Sequence, residues 1–128
     1  ENMVAYIFAE IQGFSKFGSY TATGNADGPF IFCGFRPAWV MIKRSGDGTN
    51  SWEIRDNERD SFNTADDRLF ADLNNAEDSD NEGADFLSNG FKIRNTGAGC
   101  NNSGSTYIYV AFAEQPFVNS NGVPCNAR

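Results

Sequence analysis

Asp78-Ser79-Asp80-Asn81-Glu82-Gly83 sets oxygen-bearing side chains at the first, third and fifth positions of a run, with a glycine at the sixth. That is the opening half of a calcium loop, in which alternate carboxylates take up a hard cation and the glycine allows a sharp turn. The twelfth position, where a bidentate glutamate closes such a loop, is Asn89. Asp78, Asp80 and Glu82 therefore predict at most a weak calcium site, completed by water and backbone oxygens. A second chemistry open to these residue types is glycoside cleavage, which asks only for two carboxylates. The chain has 17 acids, but most lie in one solvated stretch, where the raised pKa of a general acid is hard to maintain. Glu53, at the centre of a strand-like run, is the acid best placed to enter a groove. The simpler expectation for it is a cross-strand pair with Lys or Arg. With no histidine in the sequence, no Ser-His or Cys-His nucleophile pair can be built, and the usual zinc ligand is missing. No loop resembles a phosphate cradle. The residues predict no enzyme and no cofactor beyond that weak calcium loop.

Three cysteines, Cys33, Cys100 and Cys125, cannot all pair within one chain. Cys33 stands in an apolar strand and reads as a small buried hydrophobe. Cys100 and Cys125 lie in polar, Gly/Asn-rich surroundings where a bridge between them is open. The odd count and the lack of a secretion signal argue against an oxidised framework.

The elements that must hold these residues read as strands. Twelve Phe, four Tyr and two Trp supply bulky apolar groups, while leucine is confined to Leu69, Leu73 and Leu87. That balance favours strands over helices. Thirteen Gly, four Pro and many Asn, Asp and Ser punctuate the chain at the spacing of a sandwich or barrel of short strands. The clearest hairpin runs from Ala38 to Arg44, turns through Ser45 to Asn50, and returns from Ser51 to Arg55. Its alternation predicts Trp52 and Ile54 on the buried face and Glu53 and Arg55 on the other. Pro29 to Phe35 is apolar on both faces, which predicts a central strand or an oligomer contact. Phe91 and Ile93 follow a Ser88-Asn89-Gly90 turn, and the last good strand runs from Tyr107 to Glu114. Phe14, Phe17, Phe30, Phe35, Trp39 and Trp52 are expected to fill the space between two sheets. Tyr20 and Tyr107 are the candidates for exposure, and hence for contact with a glycan or partner.

One repeat organises the whole. Val4-Ala5-Tyr6-Ile7-Phe8-Ala9-Glu10 returns, 104 residues later, as Ile108-Tyr109-Val110-Ala111-Phe112-Ala113-Glu114, and each copy soon reaches a Phe, Phe14 or Phe117. The interval is too long for a solenoid and suits a small domain. It predicts either a chain cut from a tandem array or a domain whose first and last strands are duplicates.

The net charge of −7 is concentrated. Between Asp56 and Asp85 lie eleven acids against only Arg59 and Arg68, and the remainder is slightly basic. The pattern of alternation fails there too, so about 57–85 reads as an acidic loop insertion, with at most one short turn or strand around Arg68 to Leu73. Such a face repels nucleic acid. No apolar run approaches the ~18 residues that cross a bilayer as a helix, so no membrane insertion is expected. Residues 1–128 read as a single domain, an all-β antiparallel β-sandwich of jelly-roll type.

Gly13-Phe14-Ser15-Lys16-Phe17-Gly18-Ser19-Tyr20, Asp27-Gly28-Pro29-Phe30 and Gly34-Phe35-Arg36-Pro37-Ala38-Trp39-Val40-Met41-Ile42-Lys43-Arg44 together resemble an uncharacterised domain family of tailed-bacteriophage virion proteins. The likeness continues through Phe86-Leu87-Ser88-Asn89-Gly90-Phe91-Lys92 and from Tyr107 to Phe117. The resemblance implies a module appended to tail-fibre-like and other phage surface proteins, and carries over no catalytic residue. It implies a virion location and a structural or host-attachment role of tail-fibre or receptor-binding type, with other virion proteins or a host surface glycan as partners. A capsid decoration or head-fibre protein is the alternative within that reading. A polysaccharide-cleaving enzyme is the rival from another class, and a soluble calcium-dependent lectin the third choice. A homo-oligomer is expected, with a trimer as the form fibres commonly take, because it would protect edge strands and the two-sided apolar strand around Phe32.

Overall fold

In the computed structural model, residues 2–46 and 50–116 are described, without the side chains of residues 80–82. Cys125 and Phe117 lie outside the described residues, so a Cys100–Cys125 bridge is outside them too. Eight strands follow one another: β1 (Ser15–Thr21), β2 (Phe30–Phe32), β3 (Trp39–Arg44), β4 (Glu53–Asp56), β5 (Ala65–Phe70), β6 (Asp78–Leu87), β7 (Gly90–Ile93) and β8 (Thr106–Phe112). No helix among the described residues is long and apolar enough to cross a membrane.

All eight strands form one antiparallel sheet in the order β1-β8-β3-β4-β5-β6-β7-β2. From β3 to β7 it is a meander, and β8 is inserted between β1 and β3. The sheet curls until it is nearly a closed barrel, and β1 and β2 are the two strands left with one neighbour each. The β3–β4 hairpin stands where the alternation put it, Trp39 opposite Asp56 and Ile42 opposite Glu53. The β6–β7 hairpin closes through Ser88-Asn89, with Leu87 opposite Gly90.

The stretch expected to be an acidic loop contains two of the strands. β5 pairs with β4 on one side and β6 on the other, with a register shift between Ala65 and Asp67. Alternation is hard to see there because acids stand on both faces: the inward positions are Ala65 and Arg68, and the rest of β5 is half-exposed. Strand character comes from neighbours on each side, which a local pattern does not report.

Three further expectations are corrected. The strand around Phe32 is an edge strand and not a central one, which leaves the oligomer contact of the two readings, and only Ile31 of the three is buried. Residues 2–10 form no strand, although their copy is β8. Most of the aromatics expected inside are not there: Phe35 is buried, Phe30 is exposed, and Phe14, Phe17, Trp39 and Trp52 are half-buried. Phe8, Phe14, Phe17 and Trp39 instead gather around Phe112 on the outer face, with ring centroids 5.7–6.1 Å apart. The core proper holds Ile31, Phe35, Val40, Ile42, Phe86, Phe91 and Ile93 with Tyr107 and Tyr109 of β8. A barrel has one interior, so inward positions go to whichever residues suit its small volume, and bulky residues in excess pack outside.

Candidate functional site

The interior carries charge. Glu53 and Arg55 of β4 are 3% and 1% exposed, and Arg68 of β5 is 8% exposed. Trp52 and Ile54 are half-buried on the other side, so β4 is turned over relative to the hydrophobic alternation. The reason is that the two charges satisfy each other and a third. Glu53 Oε2 accepts from Arg55 Nη1 at 2.8 Å, and its Oε1 accepts from Arg68 Nη1 at 3.2 Å. Arg68 also donates to Asp78 Oδ2 of β6, from Nε at 3.2 Å and from Nη2 at 2.8 Å. Its guanidinium lies 5.1 Å from the Phe70 ring centroid. Pairing of this density is what makes burial of charge tolerable. Burial opposes the charge on Arg55, but Cys100 and Glu53 beside it outweigh burial and raise its pKa above the ordinary arginine value. The expectation of a charge partner for Glu53 is met on its own strand and on the adjacent one.

The loop between β7 and β8 seals this cluster. Gly99 lies so close that a Cβ there would stand 1.7 Å from Glu53 Oε1, so only glycine fits. Tyr107 donates its hydroxyl to Ala98 O at 2.6 Å, and Tyr20 donates to Cys100 O at 2.7 Å. Their rings stack at 5.3 Å. Asn95 Nδ2 donates to Gly83 O at 3.0 Å, and Asn101 Oδ1 accepts from Thr23 N and Gly24 N at 3.0 and 3.2 Å. Cys100 and Asn101 are fully buried. The loop thus ties β1, β4, β6 and β8 across the interior.

Tyr20 and Tyr107 are accordingly not exposed contact residues. Tyr107 is fully buried and Tyr20 is half-buried against Phe91 and Tyr107. Burial raises the pKa of both phenols, and pushes Tyr109 up to about 12. Their hydroxyls serve instead as hydrogen-bond donors to the carbonyls of Ala98 and Cys100. Sequence carries a faint sign of this, since Ala98-Gly99-Cys100-Asn101-Asn102 is a stretch of small and amide residues suited to packing beneath aromatics.

The acids of the calcium reading lie on β6, an extended strand and not a loop. Asp78 is committed to Arg68, and the side chains of Asp80 and Glu82 lie outside the described residues. A different acidic group is brought together where β5 begins: carboxylate oxygens of Asp60, Asp66 and Asp67 lie within 4.8 Å of one another. Asp60 Oδ2 accepts from Asp67 N at 2.7 Å, which holds two of the three together.

The seam where β1 and β2 face each other is the remaining place. A cavity of about 590 Å³ opens there, lined by Glu10, Gln12, Gly13, Ser15, Lys16, Phe32, Cys33 and Gly34. Gly13, at φ 75°, makes the turn that brings Ile11 opposite Ser15. Ser15 Oγ accepts from Ile11 N and donates to Ala9 O, both at 2.9 Å. Lys16 Nζ pairs with Glu10 at 2.9 Å. Cys33 is buried, as expected of a small hydrophobe, and burial pushes its thiol up to about 12. The seam therefore has an ion pair at its rim, an unreactive thiol at its floor and an apolar strand edge on one side.

Comparison with curated proteins finds no match, and comparison with solved structures finds none. The family described as a domain of unknown function, DUF7483, matches residues 1–116, from the first copy of the repeat through β8. The chain belongs to the DUF7483 family.

Proposed function

We propose that this domain is a non-catalytic structural and interaction module of a tailed-phage particle, of tail-fibre or receptor-binding type. The observation that carries the non-catalytic part is the enclosure of Glu53. Both its oxygens are taken by guanidinium groups and it is 3% exposed, so a substrate has no approach to the acid best placed for hydrolysis. The virion part is supported by the resemblance of the Gly13–Tyr20 and Gly34–Arg44 runs to phage surface proteins, and it implies location in the particle. The sandwich that the sequence predicts is kept as a proposal about shape, its jelly-roll type included: β1-β8-β3-β4 and β6-β7-β2 face each other across the core, with β5 at the bend.

A second placement, as a capsid decoration or head-fibre protein, is favoured by one feature. Met3, Val4, Tyr6 and Ile7 are exposed, and an apolar surface of that kind suits protein neighbours better than glycans. The acidic 56–85 region still argues against nucleic acid as a partner. Antibody raised against the chain and imaged by electron microscopy on intact particles tests both placements: label at the tail tip supports the first, label on the head the second. Absence of the chain from purified particles by mass spectrometry contradicts both. Release of reducing ends from host polysaccharide, lost in Glu53→Gln, would contradict the non-catalytic reading.

A further inference from the structure

Residues 2–10 form an arm that touches the barrel only near its root. Phe8 packs on Phe17 and Phe112, while Met3, Val4, Tyr6 and Ile7 are between 80% and 91% exposed. No residue from Asn2 to Ala9 is charged. Apolar surface of this kind on a small domain marks a contact.

The arm's sequence says what kind of contact. Its copy, β8, is a strand bonded on both sides, to β1 and to β3. Yet the arm cannot take the β8 place in this sheet. That place is filled, and the inward positions differ: Tyr107, Tyr109 and Ala111 correspond to Met3, Ala5 and Ile7. Met3 has no hydroxyl to reach Ala98 O as Tyr107 does. The arm is strand-forming but needs another edge.

The barrel offers one. β2 is bonded to β7 alone. Cys33 N–H donates to Asn89 O and Ile93 N–H donates to Pro29 O, a phase that directs the backbone groups of Phe30 and Phe32 away from β7. Their side chains are 44% and 62% exposed. Natural sheets guard such edges with charge, proline or shortness; β2 is three residues long and follows Pro29, but no residue from Gly28 to Phe35 is charged. The arm's root and this edge meet at one cavity, with Glu10 and Gln12 on one side and Phe32 on the other. Within its own chain the root is held at β1, where Ser15 Oγ binds Ala9 O and Phe17 N donates to Glu10 Oε1 at 3.2 Å.

We propose that residues 3–8 of one copy add as a strand to the free edge of β2 in a second copy. Each copy gives one arm and receives one, so copies join as a homo-oligomer, a reciprocal dimer or ring where the geometry closes and an open chain where it does not. The inference concerns the domain wherever it works and does not depend on the virion reading.

The test is sedimentation equilibrium of the full chain over a range of concentrations, with amide hydrogen exchange read at Phe30 and Phe32. Association that slows exchange at both amides is expected. Changing Tyr6→Pro and Ile7→Pro together removes two adjacent donors, one of which points at β2 in either register, from residues that are 84% and 91% exposed, and should weaken association about tenfold or more without moving the unfolding midpoint of the dilute monomer. A monomer at every concentration overturns the proposal, as does association unaffected by that double change or one that leaves Phe30 and Phe32 unprotected. Protection of those two amides in the dilute monomer also overturns it, because the arm would then lie on its own β2.

Discussion

Val4–Glu10 and Ile108–Glu114 share three of seven residues and an apolar character, and have opposite fates. The later copy is bonded between β1 and β3, with Tyr109 and Ala111 buried. The earlier copy lies outside the sheet, with Ile7 91% exposed. They agree at Phe8 and Phe112, Ala9 and Ala113, and Glu10 and Glu114, and differ at the four positions before, two of which, Ala5 against Tyr109 and Ile7 against Ala111, β8 turns inward. Alternation and β-propensity make a segment able to be a strand; the residues on its inward face decide which sheet accepts it.

The comparison can be broken at its core-facing positions. Ala111→Asp puts an unpaired charge where no solvent reaches and should cost at least about 4 kcal/mol of stability. Ile7→Asp, the matching change in the arm, should stay within about 0.5 kcal/mol in the dilute monomer. Urea titration of the two variants checks both. Equal losses would mean that the arm is part of the folded sheet.

The charged cluster on β4 and β5 comes next. Glu53→Gln leaves Arg55 and Arg68 without the carboxylate between them and should cost about 3–5 kcal/mol, read by the same titration. A loss under 1 kcal/mol would mean that water reaches these guanidinium groups. This part of the interior was only half legible in sequence. Glu53 and Arg55 share a face and a charge partner was expected, but Trp52 and Ile54 suggested the opposite face as the buried one. What reversed it was Arg68, which comes from a stretch whose acids hide its alternation. The hairpins at β3–β4 and β6–β7 were legible because turn residues and alternation agreed there. The seam was not, because a cavity between two edge strands depends on how far the sheet curls, which no local pattern encodes.

Smaller effects sharpen the difference further. Tyr107→Phe removes the hydroxyl bonded to Ala98 O and Asn102 N, a contact the arm's Met3 cannot make, and should cost about 1–2 kcal/mol. The buried phenols also predict a pH limit. Burial raises the pKa of Tyr107 and takes Tyr109 to about 12, against about 10 in the unfolded chain. The folded state therefore binds more protons above pH 10. Stability from these groups is complete below about pH 10 and falls as pH rises from there to about 12. Circular dichroism through that window should show unfolding that Tyr109→Phe shifts to higher pH.

Amide hydrogen exchange compares the two copies most directly. In dilute solution, the amides of Tyr107 to Ala111 should exchange only with global unfolding, while those of Val4 to Phe8 exchange at nearly unprotected rates. As concentration rises, the arm amides should gain protection and the β8 amides should not change. Protection of Val4 to Phe8 equal to that of β8 in the dilute monomer would contradict the account, because the two copies would then be two strands of one sheet.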